Sequence, residues 1–127
     1  MWPPLTAFLY LLVIHWFADF ILQTHWQAVN KSKNNLALLA HVVTYTTFLG
    51  CFIPFVFLST PVWVCFYYTI TNGVLHFITD YFTSRWTSKL YLKGDINGNL
   101  HNFFVVIGLD QLIHQFTLAL TMLYFFY

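Results

Sequence analysis

The 127-residue sequence predicts an all-α fold, an integral membrane four-helix bundle. Two observations carry that expectation. The hydrophobic fraction is 59%, while Asp, Glu, Lys and Arg make up only 7% of the chain. An average soluble domain carries roughly 25% charged residues, so five basic and four acidic side chains cannot tile a water-facing surface. The apolar residues also fall into four long stretches parted by polar segments, each near the ~20 residues that a spanning helix needs. An aromatic content of 22% excludes intrinsic disorder. A net charge of +1 excludes a nucleic-acid binder that works by phosphate neutralisation.

The expected spans are about 4–23, 36–52, 62–82 and 101–127, in one transmembrane domain covering 1–127. Met1-Trp2-Pro3-Pro4 has neither a positive n-region nor a small-residue cleavage site, so the first stretch reads as a retained span and not a signal peptide. Thr24 to Asn35 and Thr83 to Asn99 are polar and read as loops, and Pro54 and Pro61 bracket a short turn between the second and third spans. Backbone in lipid must satisfy its own hydrogen bonds, which makes each span a helix. All five basic residues lie in the first and third connections. The positive-inside rule therefore places those loops in the cytoplasm and both termini outside, as in a bacterial inner-membrane protein. Cys51 and Cys65 lie in apolar stretches and read as small buried hydrophobes, with a bridge between them left open.

The informative residues are the polar ones inside the spans. The chain has no Glu, and Asp19, Asp80 and Asp110 all lie in apolar segments. Each has a His four residues away, giving His15/Asp19, His76/Asp80 and Asp110/His114, while His41 in the second span has no such acid. Residues i and i+4 share a helix face, so each pair presents an imidazole and a carboxylate in one direction. By residue count these groups fall at similar depth, in the half nearest the basic loops. An ionised Asp in mid-membrane costs ~3 kcal/mol on insertion scales, and three of them require compensation. A divalent cation supplies it, because imidazole and carboxylate are common metal ligands. His15, Asp19, His41, His76, Asp80, Asp110 and His114 exceed the needs of one tetrahedral ion, which points to one or two ions sharing a bridging carboxylate. Zinc and manganese suit this mixed donor set best. Competing readings are helix association through His–Asp hydrogen bonds and haem ligation. A carboxylate one turn from three of the His argues against haem.

Gln23, Tyr45 and Asn72 continue the same helix faces and are candidates to orient the ligands from behind. Lys31, Lys33, Arg85, Lys89 and Lys93 flank the expected entrance, where they could hold an anionic lipid headgroup or a nucleotide phosphate; membrane topology alone also accounts for them. The motif His15-Trp-Phe-Ala-Asp19-Phe is echoed by His76-Phe-Ile-Thr-Asp80-Tyr, each followed by a Trp, a basic segment and a helix bearing His. That is the pattern of a duplicated helical hairpin. A bundle this small leaves a homodimer open, although no small-xxx-small motif stands out.

The runs His15-Trp-Phe-Ala-Asp19-Phe-Ile-Leu-Gln23-Thr, Leu-Leu-Ala-His41, His76-Phe-Ile-Thr-Asp80-Tyr and Asp110-Gln-Leu-Ile-His114 resemble a domain-of-unknown-function family of small bacterial and phage membrane proteins. The pattern is similar, more distantly, to inner-membrane metal-dependent hydrolases. The resemblance implies a four-helix membrane fold with a metal site at these positions, and no particular reaction. By analogy with those hydrolases, the expected function is a membrane-embedded divalent-metal-dependent hydrolase with its His/Asp site near the cytoplasmic face, and the charge of the flanking basic residues points to a phosphoester substrate. No Ser or Cys nucleophile with an adjacent base is apparent, so water is the expected attacker and Asp19 or Asp80 its proton acceptor. The alternatives are a metal or proton transporter or channel, and a non-enzymatic membrane factor locked by its cluster. The half of the bundle away from the basic loops offers few polar groups to continue a conduction path, which disfavours a pore.

Overall fold

The computed structural model describes residues 2–127 and contains five α-helices joined to one π turn, with no strand among the described residues. The helices are α1 (Pro4–Trp16), α2 (His25–Asn30), α3 (Asn35–Val56), α4 (Val62–Asn97) and α5 (His101–Phe126); the π turn, Phe17–Ile21, directly continues α1. The fold is all-helical as expected, but its helix count and lengths depart from four spans joined by loops.

Each departure has a local cause. The first polar segment is not all loop. Thr24 caps α2 with a capping box, its hydroxyl accepting from the Gln27 N–H while the Gln27 side chain accepts from the Thr24 N–H. Helix α3 runs through Pro54 to Val56 instead of ending at Phe52. The second polar segment is helical as well: α4 carries on through Thr83–Asn97, which has no Pro, holds helix formers at Arg85, Lys89, Leu90, Leu92 and Lys93, and turns the Thr83 and Thr87 hydroxyls back onto carbonyls of the preceding turn. It ends only at Gly98, whose φ of 67° is the left-handed conformation of a helix C-cap, with the Asn99 N–H returning to the Gly94 carbonyl at 3.0 Å.

Helix α4 packs on both α3 and α5, while α1 packs on α3 and α5, so these four surround a common interior; α2 lies against α3. The α3–α4 approach is close. A Cβ at Gly73 would collide with the Thr46 side chain, and one at Gly50 would come within 3.1 Å of Thr69. Away from the basic end the interior is apolar, built from residues such as Leu11, Leu49, Ile53, Tyr68, Leu118 and Met122 and closed by Phe57 stacked on Phe126 at 3.7 Å. The outside is apolar too: Leu5, Phe55, Val62, Phe66 and Leu120 are all at least 60% exposed, while His15, Asp19, Gln27, His41, His76, Asp80 and His114 are buried. An apolar exterior of this kind marks a surface that meets a membrane or another apolar partner. Three segments, Pro4–Ile21, Asn35–Val56 and His101–Phe126, are long and apolar enough to cross a membrane. Helix α4 is more polar along its length. Cys65 is buried, but Cys51 is exposed on the outer face and both thiols are free, so the expectation of two buried cysteines is corrected for Cys51 and no bridge forms.

Candidate metal centre

Four segments bring donors to one buried layer: Asp19 from the π turn, His41 from α3, His76 and Asp80 from α4, and His114 from α5. Asp80 and His76 share a face of α4 by their four-residue spacing. Asp19 lies where the chain leaves α-helical register, a type of turn frequent at functional sites.

The short hydrogen bonds run between helices. His41 Nε2 lies 3.0 Å from Asp19 Oδ1 and His114 Nε2 lies 3.0 Å from Asp80 Oδ1. The three i, i+4 pairs are longer, at 3.8 Å for His15–Asp19, 3.7 Å for His76–Asp80 and 3.5 Å for His114–Asp110. His41, which has no acid on its own helix, thus receives one from the π turn.

Two groups of donors emerge. Asp19, His41, His76 and Asp80 each place a ligand atom within 4.8 Å of the others, and so do Asp80, Asp110 and His114. Within the first group the contacts are 3.0 Å (His41–Asp19), 3.2 Å (His41–His76), 3.4 Å (His41–Asp80), 3.4 Å (His76–Asp19) and 3.7 Å (His76–Asp80). A tetrahedral ion with bonds of ~2.1 Å holds its ligand atoms roughly 3.4 Å apart, so this spacing fits a cation. The chemistry of the donors agrees, since two imidazole Nε2 atoms and two carboxylate oxygens converge on one point. Asp80 serves both groups through different oxygens, Oδ2 towards His41 and His76 and Oδ1 towards His114. These buried His/Asp groups could hold a metal ion.

The other expected residues are placed as follows. His15 is buried beside the layer but outside both donor groups; its Nδ1 is 3.2 Å from the Tyr45 hydroxyl and its Nε2 is 3.3 Å from Gln111 Oε1. Tyr45 stacks on His76 at 3.9 Å and hydrogen-bonds His15, so it supports those two and not His41. Asn72 bonds the Tyr68 carbonyl and Thr121, tying α4 to α5 away from the donors. Gln23 Oε1 is buried with no hydrogen-bond partner among the described residues.

The match to known families covers this whole layer. The family described as Protein of unknown function (DUF3307) matches residues 7–127. The chain belongs to that family. No curated protein and no solved structure matches it. The DUF3307 match takes in every donor named above, from His15 to His114.

Three residues of this DUF3307 chain join the centre without having been singled out for it. Gln111 donates from Nε2 to Asp19 Oδ2 at 3.1 Å and to Asp110 Oδ2 at 3.0 Å, and Thr83 donates to Asp110 Oδ1. Lys31, expected at the entrance, instead turns inward and donates to Asp80 Oδ2 at 2.9 Å, with its side chain only 20% exposed. Burial alone would lower the Lys31 pKa, but the charges of Asp80, Asp19 and Asp110 outweigh it and hold the ammonium above its usual range. Gln111 is an amide directly beside Asp110 in an apolar stretch, a signal the sequence does contain. The reach of Lys31 is not local information.

A cavity of about 500 Å³ opens beside the centre. Asp80 and Asp110 form part of its floor, and Lys31, Lys33, Ser84 and Thr87 line it. Of the other basic residues, Arg85 turns to the Asn35 side chain (2.6 Å) and lies over the Tyr81 ring (3.8 Å), while Lys89 and Lys93 are not part of the lining.

Proposed function

We propose that the protein is a membrane-embedded, divalent-metal-dependent hydrolase that cleaves a phosphoester. The single observation carrying this reading is Asp80. It belongs to a four-donor group closed off in the interior and to a three-donor group, completed by Asp110 and His114, that faces the cavity. A filled coordination shell suits a holding site, whereas three protein ligands and an open position suit a catalytic one. A divalent ion bound there supplies Lewis acidity, making water a nucleophile at neutral pH and polarising the phosphoryl oxygen.

The remaining work belongs to the chain's own groups. Attack of a water oxygen on phosphorus breaks the ester P–O bond, and the alcohol leaves with a proton. Asp80, which faces the cavity, is better placed to take the water proton than Asp19, which lies behind it held by His41 and Gln111. Lys31 changes the charge balance. Three carboxylates, one ammonium and one divalent ion are neutral together, so a second ion leaves two positive charges that a phosphate dianion cancels. Zinc or manganese suits a centre of this composition.

The membrane setting belongs to the same proposal. The apolar exterior suits a bacterial inner membrane, with the end carrying Lys31, Lys33 and Arg85 on the cytoplasmic side and both termini outside. Beyond Tyr45 the interior is largely apolar, its polar side chains including Thr69, Asn72 and Thr121, and this disfavours a conduction path and with it the transporter reading.

The test is elemental analysis of the detergent-purified protein together with phosphomonoesterase assays. The expected result is one to two equivalents of a divalent metal and an activity that a chelator abolishes and added zinc or manganese restores. Less than one-tenth equivalent of metal, with none taken up on addition, overturns the proposal.

A further inference from the structure

The seam between α3 and α4 carries a groove of about 420 Å³ on its outer face. Leu39, Val43 and Thr47 line it from α3, and Ile70, Val74 and Phe77 from α4. Steps of four residues put Leu39, Val43 and Thr47 on one face of α3, and the same step leads back from Leu39 to Asn35. Gly73 adds to the lining without a side chain of its own, close against Thr46. Leu39, Val43, Ile70 and Val74 are exposed, so the groove opens outward. One end of the seam is charged. Arg85 stands two turns beyond Phe77, roughly 12 Å along the helix, and reaches across to α3, where its Nη2 donates to Asn35 Oδ1 at 2.6 Å. Its Nη1 donates to the Tyr81 carbonyl at 2.9 Å, and the guanidinium lies 3.8 Å from the centre of the Tyr81 ring. These partners hold the group in place, and all of them are neutral. Among the described residues, ion pairs are made by Lys31 and the buried histidines and not by Arg85. A guanidinium carries five N–H donors, of which these bonds use two. Trp86 beside it is exposed, as suits a residue at the membrane–water interface, and this sets Arg85 at headgroup level.

We infer that the α3–α4 seam binds an anionic phospholipid, with one acyl chain in the groove between Val43 and Val74 and the phosphate on Arg85. The inference rests on the membrane placement proposed above and is independent of the metal. An acyl chain gains close van der Waals packing in the groove, and the guanidinium fork fits a phosphate. Charge decides between occupants. A zwitterionic headgroup also brings a phosphate, but its ammonium needs an acid. Helix α3 has none, and on α4 the acids are Asp80, buried in the metal centre, and Asp95, ten residues past Arg85. A second copy of the chain is disfavoured for the same reason. Asp95 is the only exposed acid among the described residues, so a copy seated on the seam brings no carboxylate to the level of Arg85.

The full chain in dodecyl maltoside micelles, with chelator present throughout, is titrated with dioleoyl phosphatidylglycerol, dioleoyl phosphatidylcholine and dioleoylglycerol while the unfolding midpoint is followed. Phosphatidylglycerol is expected to raise the midpoint saturably, at about tenfold lower concentration than phosphatidylcholine, with dioleoylglycerol weakest. Arg85→Gln is expected to weaken phosphatidylglycerol about tenfold, to the level of phosphatidylcholine. Lys93→Gln removes the same charge from an exposed position two turns further along α4 and is expected to change nothing. Val74→Trp fills the groove from its exposed rim and is expected to weaken both phospholipids alike. If Arg85→Gln does not fold, the contrast between Val74→Trp and Lys93→Gln still decides. Equal binding of the two phospholipids, or of phosphatidylglycerol and dioleoylglycerol, overturns the inference. So do equal losses in Arg85→Gln and Lys93→Gln, unchanged binding in Val74→Trp, or no response to any lipid. A chain that stays monodisperse without detergent sinks the membrane placement and this site with it. A chain that needs detergent yet shows no preference for phosphatidylglycerol sinks the site alone, and the metal content of the same protein before chelation tests the hydrolase separately.

Discussion

The Lys31 ammonium lies 2.9 Å from Asp80 Oδ2, the same carboxylate oxygen that faces His41 and His76. A lysine from the turn after α2 thus neutralises part of a buried cluster whose other members come from the long helices. Removing one partner of a buried ion pair typically costs ~3–5 kcal/mol, because the other charge is left without compensation. Lys31→Met should therefore destabilise the chelated protein by about 3 kcal/mol. Added zinc should raise its unfolding midpoint more than that of the parent, since a cation then meets an acid without a competitor. Equal zinc responses in the two proteins would place the metal elsewhere.

Asp80 and Asp110 should separate by metal count. Asp80→Asn strikes both donor groups and should leave almost no bound metal, whereas Asp110→Asn strikes only the cavity-facing group and should retain one equivalent. Elemental analysis after gel filtration distinguishes them, and identical counts would contradict the division into closed and open groups.

His15 provides a contrasting case. It stands outside both donor groups, so His15→Phe should keep the metal count of the parent, while the polar contacts of Tyr45 and Gln111 are lost. The cost should be about 1–3 kcal/mol from buried polar groups left without a partner, read from thermal or denaturant unfolding. Loss of the metal would return His15 to the ligand set.

Gln111 touches His15, Asp19 and Asp110. Replacement by Leu keeps the approximate volume and removes all three contacts. Partners behind metal ligands commonly contribute 10–100-fold in metal affinity. A metal titration of Gln111→Leu should show a loss in that range, and an unchanged affinity would make the amide a purely structural bridge.

Gly73 tests the packing that brings α3 and α4 together. A methyl group there meets Thr46, so Gly73→Ala should cost about 1–3 kcal/mol by overpacking. Gly73→Ala combined with Thr46→Ser should recover part of it, because one of the crowded atoms is the Thr46 methyl. The measurement is the unfolding free energy of the single and double variants.

Most of the helical content could be read along the chain, since hydropathy is a local property, although α3 runs through Pro54 and α4 through Gly94. So could the candidate donors: a His four residues from an Asp inside an apolar stretch is visible in one dimension. The ends of the helices were harder. Thr83–Asn97 is polar enough to resemble a loop and includes Thr, Ser, Asp and Gly94, yet it continues α4 without a Pro and ends only at Gly98. Thr24 and Gln27 form a capping box that opens a helix within an apparently unstructured connection.

Residue spacing and composition establish that this chain folds into apolar helices with imidazoles and carboxylates buried in one layer. They do not establish which acid meets which imidazole, because that depends on how each helix is rotated about its axis relative to its neighbours. Asp19 meets His41 and Asp80 meets His114 only once the helices are packed and the π turn has shifted Asp19 out of register. The inward turn of Lys31 has the same origin: its charge was evident, but its 2.9 Å contact with a carboxylate 49 residues away exists only in three dimensions.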